Sequence, residues 1–164
     1  MLGNNETEKR VYLNIAKGKI ERTLPNGKKE EYSYIEGYLE DFRSKERTFG
    51  RERVKYWYID MRDSEGLYSI GLPLYSGVLR SIVLSLASEG SLSRSTPIRL
   101  ETYEKNGYTR VKLYADGVSL DWITKELPPI ETISVGGKTI KDETKRDAFI
   151  ESLIYSIQNN LQGS

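Results

Sequence analysis

Alternation with a period of two runs through most of this chain and restricts it to a mainly β fold. Residues 32–43 (YSYIEGYLEDFR), 54–62 (VKYWYIDMR), 67–74 (LYSIGLPL), 97–103 (PIRLETY) and 108–115 (YTRVKLYA) carry the Tyr, Ile, Val and Leu that strands favour. Turn-forming residues divide them: Asp63-Ser64-Glu65-Gly66, Lys105-Asn106-Gly107 and Asp116-Gly117. Residues 11–22 (VYLNIAKGKIER) predict an N-terminal hairpin partner that turns at Pro25-Asn26-Gly27 into the 32–43 strand. A smaller hairpin is expected around Gly136-Gly137.

Two segments change to helical spacing. Val78, Leu79, Ile82, Val83 and Leu86 follow Ser76-Gly77 and precede Gly90, which marks a short helix with its start and stop. Phe149, Ile150, Leu153, Ile154, Ile157 and Leu161 form an apolar stripe on a longer amphipathic helix over about 144–161. Leu127-Pro128-Pro129 interrupts both kinds of pattern. It divides a body of residues 8–126 from a 127–164 tail too small to fold alone, so the tail is expected to dock on the body or on a partner.

At 164 residues the chain allows one compact domain with an appendage. It has no cysteine and no histidine. Disulfides, thiol or histidine-dependent nucleophiles, zinc sites and haem ligation by these residues are thereby excluded. With no clustered carboxylates either, no enzyme and no cofactor is expected, and the Gly136-Gly137-Lys138-Thr139 run lacks the upstream glycine of a phosphate-binding loop, since residue 132 is threonine. Neither a signal-like leader nor a membrane-length apolar run is present, which predicts a cytoplasmic protein without membrane contact.

The net charge of +1 conceals an uneven distribution. Arg43–Arg53, read as a loop, holds Arg43, Lys45, Arg47, Arg51 and Arg53 against Glu46 and Glu52, with Phe49-Gly50 at its tip. Residues 94–112 hold Arg94, Arg99, Lys105, Arg110 and Lys112 against Glu101 and Glu104. Each window carries +3, so the remainder of the chain sums to −5, and basic windows of this kind are the electrostatic footprint of a polyanion partner.

The order strand, strand, strand, helix, strand, strand is that of the OB-fold, a five-stranded Greek-key barrel with a helix between strands three and four. On GYLEDFRSKERTFGRERVKYWYIDMRDSEGLYSIGLPLYSG, VLRSIVLSLAS and TPIRLETYEKNGYTRVKLYADG, residues 32–122 resemble OB-fold single-stranded DNA-binding proteins of the phage or mobile-element type. The resemblance implies non-catalytic coating of single strands in DNA replication or recombination, with RNA left open, and replication or recombination proteins as partners. It departs from the housekeeping type of that family in ending on an amphipathic helix, a candidate homo-oligomer contact, where that type ends on an acidic tail. Stacking and phosphate contacts would then come from Arg43, Lys45, Arg47, Phe49, Arg51, Arg53, Lys55, Tyr56, Tyr58, Tyr103, Lys105, Tyr108, Arg110, Lys112 and Tyr114. Trp57 is expected to point inward, while Ser69 and Gly71 would leave room for a strand against the sheet. An OB-like protein-interaction module is the alternative, because exposed tyrosine and arginine also suit protein interfaces.

Overall fold

The computed structural model describes residues 10–121 and 128–163; the expected start of the body at residue 8, the 126/127 boundary and Leu127 of the proline linker lie outside them. The first two strands, β1 (Arg10–Ala16) and β2 (Lys19–Thr23), form a tight hairpin. Lys17 and Gly18 turn it with φ of 53° and 72°, the left-handed pair that a two-residue hairpin turn needs. Residues 11–22 are therefore two strands rather than one. A second turn at Leu24–Lys28 leads into β3 (Lys29–Tyr32), and Ser33 alone separates β3 from the sixteen-residue β4 (Tyr34–Phe49).

The chain continues through β5 (Glu52–Arg62) and β6 (Leu67–Pro73) to helix α1 (Gly77–Ala87), then through β7 (Pro97–Lys105), β8 (Tyr108–Ala115) and the two-residue β9 (Val118–Ser119). All nine strands belong to one sheet in the order β3-β2-β1-β6-β5-β4-β7-β8-β9. Pairings are antiparallel except that β1 lies parallel to β6. The mainly β expectation and the helix between the third and fourth body strands hold. The five-stranded, partly open barrel is not reproduced: the described strands form an open ladder, because β6 takes β1 as its second neighbour and leaves β8 to pair with β7 and β9.

Serine 76 caps α1, its Oγ accepting from the amides of Val78 and Leu79 at 3.2 and 3.4 Å. Leu79, Ile82, Val83 and Leu86 are buried in the core that α1 shares with the sheet. After the separate hairpin of β10 (Glu131–Val135) and β11 (Lys138–Asp142), the chain ends in α2 (Thr144–Gln162). Ile150, Ile154, Ile157 and Leu161 of α2 are almost fully buried in the same core as Phe42, Trp57 and α1. At roughly 1.5–3 kcal/mol for each such side chain, that stripe binds the tail firmly to the body.

Polar contacts fix the docking. Glu151 accepts from Trp57 Nε1 at 3.1 Å and pairs with Lys55 at 2.5 Å, and Gln158 Nε2 donates to the Phe42 carbonyl at 2.6 Å. Arg80 of α1 reaches Glu143 and Asp147 at 3.0 and 3.6 Å. No helix among the described residues is long and apolar enough to cross a membrane.

Candidate nucleic-acid interface

One irregularity decides what the outer face of the sheet presents. Along β4 and β5, Leu39 pairs with Met61, but the next partner of Asp60 is Asp41, so Glu40 is an extra residue in a β-bulge. Beyond it the parity of β4 is reversed. Phe42 stays on the core side opposite Ile59, while Arg43, Lys45, Arg47 and Phe49 come to the face of Tyr58, Tyr56, Val54 and Glu52.

The segment read as a basic loop is thus an extended hairpin with its turn at Gly50-Arg51. The alternation Arg-Ser-Lys-Glu-Arg-Thr-Phe is a strand pattern in which every second position is basic or aromatic. It was readable as such, although it lacks the apolar face by which strands are usually recognised.

Four rings form a continuous row across this face. Phe49 and Tyr56 have centroids 6.1 Å apart, Tyr56 and Tyr58 6.4 Å, and Tyr58 and Tyr12 6.3 Å. Arg47 lies 4.9 Å from the Tyr56 centroid and 5.5 Å from that of Phe49; Arg43 lies 5.4 Å from Tyr58. Each distance falls within cation–π range. Tyr12 was missed in the sequence, and reading the Lys17-Gly18 turn would have exposed the alternation of Val11, Leu13 and Ile15 against Tyr12 and Asn14.

The rings and cations line a groove of about 650 Å³, to which Asn14, Glu21 and Thr23 also contribute. Arg43 is held in place from below. Its Nε and Nη2 donate to Asp60 at 2.6 and 3.1 Å, and Ser69 donates to the same carboxylate at 2.5 Å. Asp60 is 2% exposed, and Arg43 and Ser69 together supply hydrogen bonds to both of its oxygens. The bond to Asp60 raises the pKa of Arg43 above its ordinary value, so the guanidinium keeps its charge. Lys45 and Arg47 have no carboxylate within ion-pair distance among the described residues.

Several expected site residues lie elsewhere. Lys55 is on the opposite face of β5, beneath α2 and paired with Glu151, because its parity is that of Trp57. Trp57 itself is core, 2% exposed, with Tyr155 edge-on at 5.9 Å. Arg51 sits in the turn, and Arg53, opposite Thr48, has the parity of Lys55 and points away from the row. The room expected over Gly71 is filled by the Tyr58 ring.

Tyr103, Lys105, Tyr108, Arg110, Lys112 and Tyr114 do share one face of β7 and β8, as the alternation predicts. None of them lines the groove. Arg110 lies 5.7 Å from the Tyr108 ring centroid, and Lys112 lies 3.9 Å from Asp121. Between the two strips Arg99 is neutralised by Glu36 and by Glu101, the latter at 2.7 Å, and stacks on Tyr34 at 3.9 Å. Among the described residues no group of acidic side chains is arranged to hold a metal. No protein family, characterised protein or solved structure matches this chain.

Proposed function

We propose that this protein binds single-stranded nucleic acid, DNA foremost, on the face of β4, β5 and β1, without catalysing a reaction. The supporting observation is the coincidence on one open groove of four rings at 6.1–6.4 Å intervals with Arg43, Lys45 and Arg47. Unpaired bases stack on flat side chains whatever their identity, and phosphates seek cations alongside, so this combination suits a sequence-tolerant strand site. The C-terminal helix covers the other face and leaves the groove open.

The order of the central strands also favours this reading. Taken from β6 through β5, β4 and β7 to β8, with α1 between the third and fourth strands in sequence, it is compatible with an OB-like arrangement that lacks the closing strand pair. A protein of this kind would coat strands exposed in replication or recombination. The test is an anisotropy titration with a labelled oligothymidine and with the matching duplex at two salt concentrations. Tighter, salt-sensitive binding to the single strand is expected; equal affinity for both, or none for either, overturns the proposal.

A further inference from the structure

The β4–β5 hairpin is an arm. β6 accompanies β5 only as far as Tyr56 opposite Pro73; past that point Arg47, Thr48, Phe49, Glu52 and Arg53 are all exposed, so the arm stands about 10 Å beyond the body at 3.4 Å per residue. Its tip combines Phe49, 49% exposed, with Arg47, Arg51 and Arg53 against only Glu52.

At the other end of β5, past Arg62, the Asp63–Gly66 turn borders a cavity of about 1150 Å³. The cavity has an apolar floor of Leu13, Ile20, Ile35 and Ile98 and a rim of half-exposed Tyr32, Tyr34 and Tyr38. Its charged lining is Glu36, Asp63, Glu65 and Glu101 against Arg22 and Arg99, the inverse of the arm's.

We infer that this cavity receives the Phe49 arm of a second copy of the chain. The two features lie at opposite ends of an eleven-residue strand, so a molecule cannot satisfy its own cavity. A neighbour placed head to tail can, and such a heterologous contact propagates into a row of copies. Phe49 supplies the apolar anchor for the floor, while the guanidinium groups behind it meet the carboxylates of the rim. The contact does not rest on nucleic-acid binding, and it is measured without any strand present.

Sedimentation velocity of the full chain over a concentration series in low salt is the test. The parent protein should associate, and added salt should disperse it. Reversing the arm with Arg51→Glu and Arg53→Glu, or the rim with Ser64→Lys and Glu65→Lys, should weaken association by about tenfold or more. All four side chains are exposed, and Asp63 is kept because it accepts the amides of Glu65 and Gly66. Mixing the two variants should restore association, since a reversed arm fits a reversed rim. Phe49→Ser should weaken it without any change in charge. A parent protein that stays monomeric overturns the inference, as do variants that associate like the parent or a mixture that fails to recover.

Discussion

The ring of Tyr58 lies on the backbone of Gly71, and a Cβ at residue 71 would stand 2.7 Å from its Cε1 atom. The absent side chain is therefore the seat of the central ring in the row. Tyr58 is also the ring against which Arg43 and Tyr12 are set, so its placement governs both neighbours.

Gly71→Ala should displace that ring. The expected loss of stability is about 1–3 kcal/mol from overpacking, with strand affinity reduced by an amount comparable to one lost stacking contact, also about 1–3 kcal/mol. Urea unfolding and the oligothymidine titration measure the two effects. An alanine that leaves both unchanged would show that the ring moves away without consequence.

Alanine at Tyr12, Tyr56 or Tyr58 should each reduce single-strand affinity by about 1–3 kcal/mol. Tyr108→Ala, on the strip that does not line the groove, should alter it by less than about twofold, as expected for a surface position outside the contact. The same titration separates the two groups. A larger effect at Tyr108 than at Tyr56 would move the strand to the β7–β8 side of the sheet.

Asp60→Asn keeps the shape of the side chain while removing the charge that receives Arg43 and the Ser69 hydroxyl. Hydrogen bonds to charged groups contribute about 1.5–3 kcal/mol; Arg43 is 38% exposed at its side chain, so the lower part of that range applies. Thermal unfolding measures it. Strand affinity should also fall, because Arg43 is no longer held against Tyr58.

Burial holds the Asp147 carboxyl above its ordinary value, against the opposing pull of Arg80. The folded chain then keeps a proton that the unfolded chain has released, so this residue favours folding below the unfolded value of about 3.9. That contribution is lost as pH rises through the raised native value. Stability of the parent relative to Asp147→Asn should accordingly decline as pH rises from about 3.5 to neutrality. Paired urea midpoints across that range check the sign, and a difference that grows with pH contradicts it.

Local pattern carried much of this structure and failed at identifiable places. The Ser76 cap and the spacing of Leu79, Ile82 and Leu86 marked α1, and the Ile150 to Leu161 stripe marked α2, because both depend on residues close in sequence. Alternation placed Tyr56 and Tyr58 on the outer face and Trp57 inside. It placed Tyr108 to Tyr114 on one face as well, but it holds no information on which strands neighbour one another, so it could not show that Arg99 and its two carboxylates intervene. Lys55 was assigned to the tyrosines beside it although adjacent strand residues face opposite ways. That the described strands form an open sheet and not the expected barrel depends on β1 taking the position beside β6, a pairing between residues more than fifty apart in the chain.

The extra residue at Glu40 has an evolutionary corollary. Lysine and arginine reach the groove in β4 only because the chain is out of step there by one position. Removing one residue from the bend would leave the composition almost untouched yet turn Ser44, Glu46 and Thr48 toward the tyrosines. Among descendants of this sequence, chain length between Ile35 and Phe42 would then be a better marker of a retained groove than the number of basic residues downstream.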